Sequence, residues 1–327
     1  MKNALRFAGK NGAWVVIAGV VLGFLFPVLS NTARPYLSIA IFAFTFGSFL
    51  KFDFNAFRAE FIQVKRNIAI VCWATFGVPL VVVAIIAMFK PGPDLTQGLL
   101  FWSLVPSSGA CVAFSVILGL STPLALLTTV VATALSPFYM PPLAAALGGY
   151  QLSTDPAEMC IRLLTIIGGA WIASLVMKHF AARFVRDNPD AMTGIAVLAL
   201  FLAGLGSMRG MQAHFLAEPL QTLKYLGLAY GLLLGFQIIG TVLFWPSGRT
   251  PALTAGLVSG TRTITLAWVV LGNGILPLAD VFLGCAMVAK YTSPTLTKWL
   301  IARLNARPVG IVSPAATKEP LTGGFSR

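Results

Sequence analysis

Charge is what this chain has least of. Only 10% of its 327 residues are charged, against 57% hydrophobic, where a soluble chain carries about a quarter charged residues. With a mean hydropathy of +0.85, that deficit excludes a soluble globular domain and leaves an all-α polytopic protein embedded in a lipid bilayer. Acidic residues are the scarcer sign, 10 against 23 basic, for a net charge of +13. The basic residues follow membrane topology, so no nucleic-acid partner is expected. Four cysteines, Cys72, Cys111, Cys160 and Cys285, lie in apolar segments without paired spacing, and neither a disulfide framework nor a zinc motif follows. The two histidines, His179 and His214, stand near span ends with no partner at ligand spacing, and both read as interfacial. No Walker A loop, nucleophile elbow or H-E-x-x-H occurs, so neither ATP hydrolysis nor intramembrane proteolysis is supported and the chain is not expected to be an enzyme.

What is present is apolar sequence in membrane-length runs. Hydrocarbon about 30 Å thick takes roughly 20 apolar residues per helix. Such runs recur at 12–30, 35–51, 67–89, 96–120, 122–149, 158–180, 191–209, 219–246, 250–273 and 276–303, about ten spans. With the N-terminus inside, sixteen Lys and Arg residues fall in cytoplasmic pieces, while the outer pieces hold Arg34, Lys90, Arg162 and Arg209. This positive-inside bias predicts an inner-membrane protein with both termini cytoplasmic. Lys2, Arg6 and Lys10 before the first run look like a signal peptide, but the run is long and no convincing cleavage site follows, so it is read as an uncleaved span. Residues 307–327, rich in Pro, Gly, Ser and Thr, are expected to be a disordered tail after a 1–306 transmembrane domain.

One run is interrupted. Leu104–Leu120 is apolar except near its start, where Pro106, Ser107, Ser108 and Gly109 follow one another. Proline removes a backbone donor and clashes with the preceding turn, and glycine and serine add no helix propensity. The helix should unwind there, and in hydrocarbon an unwound backbone survives only where protein buries it or water reaches it. A second break is expected around Ser259, Gly260 and Thr261. The halves echo one another: Gly119 to Ala125, with Pro123-Leu124-Ala125, recurs as Gly274 to Ala279, with Pro277-Leu278-Ala279, and Ser136-Pro137 recurs as Ser293-Pro294. The offsets are 154 and 157 residues. Five spans followed by five more place the halves in opposite orientations, the inverted repeat of secondary transporters, in which broken helices meet near the midplane.

On these residues the chain resembles the bile acid:sodium symporter family, ten-span bacterial transporters related to the animal bile acid carriers. The resemblance rests on the Pro106 to Gly109 break, on Leu126-Leu127-Thr128-Thr129 through Ser136-Pro137, and on the glycine break in span nine. It implies a panel (12–51 and 158–209) rocking against a core (67–149 and 219–303), with spans four and nine crossing at their breaks. It also implies Na+ as coupling ion, held by oxygen side chains beside the crossing, and there the chain departs. The family's Ser-Asn pair falls on Cys111 and Val112, a further serine on Ala125, its Glu on Val258 and its Gln on Arg262, which leaves Thr129 as the one matching hydroxyl. Hard cations take oxygen ligands, so sodium here would depend on backbone carbonyls. Proton coupling, or none, stays open.

Arg262 is the sharpest candidate, a charge placed deep in a span immediately after the second break. It can clamp a substrate anion through two parallel hydrogen bonds. Equally, it can stand where a cation would bind and donate to carbonyls freed by the break. Lys290, in the middle of span ten, is the second deep cation, read either as a protonation switch or as a lysine reaching a watery crevice. A direct pair with Asp280, ten helical residues or about 15 Å away, is not expected. Ser107, Ser108, Gly109, Thr261 and Thr263 surround the breaks at Pro106 and Gly260, where half-helix N-termini turn partial positive charge inward. Cys111 suggests an arsenite-type permease, but the residues after it lack the Trp-Asn pair such permeases show, and it reads as a packing cysteine.

These readings converge on a secondary active transporter of a small organic anion. The alternatives are a proton-coupled or uncoupled carrier, an arsenite-type permease, or a membrane sensor that no longer transports.

Overall fold

The computed structural model describes residues 12–50, 63–148 and 155–305. The expected tail, 307–327, and the cations Lys2, Arg6, Lys10, Lys51, Arg58, Arg307, Lys318 and Arg327 lie outside them. Every regular element among the described residues is helical: α1 (Gly12–Leu25), α2 (Pro27–Leu50), α3 (Val64–Phe89), α4 (Pro93–Leu104), α5 (Ala110–Ile117), α6 (Thr122–Gly148), α7 (Pro156–Phe180), α8 (Ala182–Asp187), α9 (Pro189–Gly206), α10 (Met211–Ala217), α11 (Pro219–Leu243), α12 (Arg249–Gly260), α13 (Thr265–Leu271) and α14 (Pro277–Asn305). Among the described residues, six stretches are long and apolar enough to cross a membrane: α2, α3, α6 to Leu147, α7, Met192–Ala217 and α11. The protein is therefore an all-α polytopic membrane protein.

Prolines set several boundaries away from the apolar runs. The first run stops at Leu25 rather than near 30, because Pro27 lacks an N–H and serves as the first residue of α2. That helix then passes through a tight turn at Arg34–Tyr36 that carries Pro35. The interior prolines Pro137 and Pro294 leave their helices unbroken, and the serine before each explains why. Proline 137 cannot donate to the Thr133 carbonyl, and the Ser136 hydroxyl donates to it instead at 2.8 Å. Likewise the Ser293 hydroxyl donates at 3.0 Å to the Lys290 carbonyl, the one Pro294 leaves open.

The helices pack in two groups. The α9 helix lies on α1 and α2, and the C-terminal part of α7 lies on α2. In the other group α11 packs against α12 and α14, α14 against α4, and α4 against α3 and α6. Small residues bring α11 and α12 into backbone contact. A Cβ at Gly260 would sit 2.2 Å from the Leu233 carbonyl oxygen, and one at Gly256 2.3 Å from that of Gln237.

Each half of the second group also ties down the other half's connection. Gln97 of α4 donates to Gly274 O at 3.0 Å and accepts from Leu276 N at 2.8 Å. Thr254 of α12 accepts from Ser121 N, in the connection between α5 and α6, at 3.1 Å. Thr254 stands 157 residues after Gln97.

Candidate functional site

Both expected breaks are present, and they lie side by side. Between α4 and α5 the chain is extended, as it is between α12 and α13, and Ser107 and Arg262 form an antiparallel bridge pair. Ser108 N donates to Thr261 O at 2.9 Å, and Thr263 N donates to Pro106 O at 2.8 Å. Side chains add to the join: the Ser107 hydroxyl donates to Val258 O at 2.7 Å and the Thr263 hydroxyl to Ser107 O at 3.2 Å. Groups orphaned by each break are thus satisfied by the other, the only arrangement short of water that apolar surroundings tolerate.

In extended backbone successive side chains point to opposite faces, and here the two faces differ. Arg262 is 1% exposed and turns toward α3. There Trp73–Gly77 forms a widened π-type turn, a place where a helix's carbonyls leave their regular ladder. Nη1 of Arg262 donates to Ala74 O in that turn at 2.7 Å and to Val105 O, at the end of α4, at 3.3 Å. Its Nε and Nη2 are buried without a protein partner, as are the hydroxyls of Tyr139 and Thr261. The same turn supplies Trp73, whose Nε1 donates to the Ser259 hydroxyl at 3.1 Å.

The opposite face carries Thr263, Thr129 and Lys290. Thr263, Thr129 and Gly109 line a void of about 20 Å³ with Phe44 and Ser48 of α2. Thr263 and Lys290 line a void of about 10 Å³ with Ile41, Phe44, Leu200 and Ala203. Lys290 is 1% exposed, lies 5.0 Å from the Tyr291 ring, and has no carboxylate partner among the described residues. Phe44 packs onto the first break so closely that a Cβ at Gly109 would meet its ring at 2.6 Å. Cys111 is buried inside the join, its thiol 3.7 Å from Thr261 O and 3.9 Å from Leu257 O. Ser108 accepts from Ala110 N at 3.3 Å, a local cap for α5.

The sequence-predicted residues therefore come together at one crossing, but Arg262 and Lys290 occupy opposite faces of it. Arg262 lines neither of these two voids. Among the described residues no group of three or more His, Cys, Asp or Glu is placed to hold a metal ion.

A far larger cavity, about 1020 Å³, lies elsewhere, at the end of the molecule formed by the starts of α2, α7, α10 and α14. Arg34, Arg162, Arg209 and His214 line it from α2, α7, the α9–α10 connection and α10; Trp268, Val269, Asp280 and Val281 line it from α13 and α14. Arg34 Nη2 forms an ion pair with Asp280 Oδ1 at 2.8 Å, and Trp268 Nε1 donates to the same oxygen at 2.6 Å. Sequence reasoning used these arginines only as markers of topology. The signal that would have singled out Arg34 is a carboxylate 246 residues away, which no local pattern connects to it.

No family model matches the chain. Its sequence is 24% identical over 272 residues to a protein of Bacillus subtilis (strain 168) that carries the name uncharacterized sodium-dependent transporter YocS. The similar region takes in 82% of this chain and 84% of that protein. The likeness is distant and runs through both breaks' surroundings rather than one segment, and it is a likeness to a transporter, not to an enzyme.

Proposed function

We propose that the protein is a secondary active transporter of a small organic anion that works by alternating access. The observation that carries this is the joined pair of breaks, with a cavity of about 1020 Å³ between the two helix groups at one end and only small voids between them beside the breaks. A carrier open to one side has this form. The name of the B. subtilis relative supports transport, and the cationic crossing supports an anion as cargo.

The finer architecture is part of the proposal: ten spans in an inverted 5+5 repeat, the broken ones crossing near the midplane, both termini in the cytoplasm of an inner-membrane protein. Two internal correspondences support the repeat. The Ser136 and Ser293 hydroxyls do the same repair before Pro137 and Pro294, and Gln97 and Thr254 hold opposite connections. In this reading α1, α2, α7, α9 and α10 form a panel, and α3 to α6 with α11 to α14 form the core that it rocks against.

Of the two readings of Arg262, its contacts support the internal cation. A guanidinium that donates to the Ala74 and Val105 carbonyls supplies the fixed positive charge that a bound sodium would bring. Lys290, with Thr263, Thr129, Ser108 and Gly109 on the panel side, is then the better candidate for meeting the anion, and Cys111 serves packing. Sodium coupling, which the resemblance and the relative's name both suggest, would have to run through backbone carbonyls.

The test is uptake by purified protein in liposomes, with radiolabelled monocarboxylates and sulfonates offered under sodium, proton or no gradient. Accumulation of one of them that Lys290→Met reduces at least tenfold supports the reading. A protein that moves none of them under any gradient is not this transporter.

A further inference from the structure

We propose that the large cavity holds a dedicated binding site for an amphipathic organic acid, in which Arg34 and Arg209 receive the acid group and Asp280 is the internal anion it displaces. The site is separate from the crossing of the broken helices. It takes its ligand class from the transport reading but not its motion, so it is measurable in protein that never cycles.

The cations and their counter-charge sit on opposite walls. Arg34, Arg162 and Arg209 come from α2, α7 and the α9–α10 connection, and the facing wall of α13 and α14 presents Asp280 as its one carboxylate among the cavity's lining. Arg34 is already engaged in the geometry an acid ligand would use: its Nη2 bonds Asp280 at 2.8 Å, and its guanidinium carbon lies 5.0 Å from the centre of the Trp268 ring. Both side chains of this pair are mostly buried, so the pair is weakly screened and sits in the cavity wall rather than in bulk solvent. Arg209, by contrast, is exposed and has neither a hydrogen bond nor a carboxylate partner among the described residues, although it lies close enough to Arg34 for the two charges to repel. One carboxylate thus stands in the lining for two neighbouring guanidiniums, and it is bonded to Arg34 alone of the two. Arg162 is neutralised from outside the cavity by Glu158 and spends a bond on Val270 O at 3.4 Å.

The shortfall of negative charge is what an arriving carboxylate or sulfonate would fill, bridging Arg34 and Arg209 through the parallel bonds that guanidinium favours. The rest of the lining, Pro35, Ile166, Val269 and Val281 among it, offers apolar surface for the body of the ligand. About 1020 Å³ is at the upper end of ligand-site volumes. Asp280 keeps Arg34 paired when the cavity is empty, and its Oδ1 stays satisfied by Trp268 when Arg34 turns to a ligand.

The experiment is calorimetric titration of the full chain in a neutral maltoside detergent with octanoate, 1-octanesulfonate and neutral octanamide, repeated with Arg34→Gln, Arg209→Gln and Asp280→Asn. Each lost guanidinium should weaken the two anions by about tenfold, the worth of one charge-assisted hydrogen bond. Asp280→Asn, which keeps an acceptor for Trp268 and removes the competing charge, should tighten them several-fold. The Arg209 variant carries the test if Arg34→Gln fails to fold, since Arg209 holds no other element. Octanamide that binds as well as octanoate, or anion binding indifferent to Arg209→Gln and Asp280→Asn, overturns the site. So does a site sensitive to these variants that answers only to phosphatidylglycerol added in place of the acids, for that is a lipid contact. Because the readout is binding, an absence of uptake in liposomes would sink the transport reading and leave this one standing.

Discussion

Ser107 and Arg262 face each other as an antiparallel pair at the point where two broken helices meet, and the two side chains leave that pair in different directions for different reasons. The Ser107 hydroxyl closes the join by donating to Val258 O. Arg262 runs out to the widened turn of α3 and fixes a positive charge there.

If Arg262 acts as an internal cation, removing it should create a need for an external one. Arg262→Ala is expected to lower thermal stability in choline and to recover part of it as sodium replaces choline. A cation at 100 times its dissociation constant would contribute about 2.7 kcal/mol. The wild type should show no such dependence. Equal melting of the variant in both salts would count against the reading.

Lys290 is a buried charge without a carboxylate partner among the described residues, lining a void of about 10 Å³. Lys290→Met, similar in volume and apolar, should raise stability by about 1 kcal/mol while uptake falls, the usual pattern when a residue kept for function is replaced. Melting in detergent and flux in liposomes measure the two halves. A loss of both would make Lys290 structural.

The serine before each interior proline should matter in equal measure. Ser136→Ala and Ser293→Ala each strand a carbonyl, Thr133 O and Lys290 O respectively, and should each cost about 1 kcal/mol. Threonine at either position keeps the hydroxyl and should cost less. Urea-free thermal melts of the four variants decide it, and a cost at one serine alone would weaken the internal correspondence.

Gly260→Ala should be the most damaging single methyl in the core. Its Cβ would stand 2.2 Å from Leu233 O, on backbone that cannot step aside, and overpacking of this kind costs about 1–3 kcal/mol. Wild-type melting behaviour for that variant would mean that α11 and α12 are less tightly held than they look.

The broad architecture was legible because hydrocarbon imposes it: long apolar runs, a proline followed by small polar residues, two cations at depth. The site was legible in part. Pro106 to Gly109 and Ser259 to Thr263 announce their own unwinding, yet nothing local says that Arg262 will bond the Ala74 carbonyl, since that depends on a π-type turn 188 residues away in sequence. Pro137 and Pro294 show the limit of reading prolines as breaks, because a neighbouring hydroxyl repairs what Pro106 leaves open. Arg34, Arg162 and Arg209 were visible as charges and invisible as a cluster, for only the fold brings α2, α7 and the α9–α10 connection to one wall.

The join between the breaks also constrains how the protein is made. The Ser107 hydroxyl and the carbonyl it bonds are 151 residues apart in the chain, and a ribosome adding about 5–20 residues per second needs roughly eight to thirty seconds to cover that distance. During this interval the first broken helix is in or near the bilayer with its partner unmade, holding unpaired amides and carbonyls that the finished protein hides. Some other group, from the insertion machinery or from water at the bilayer surface, has to occupy them until the second half arrives. The step most exposed to failure in this protein's biogenesis is therefore the wait for α12, more than the insertion of any single helix.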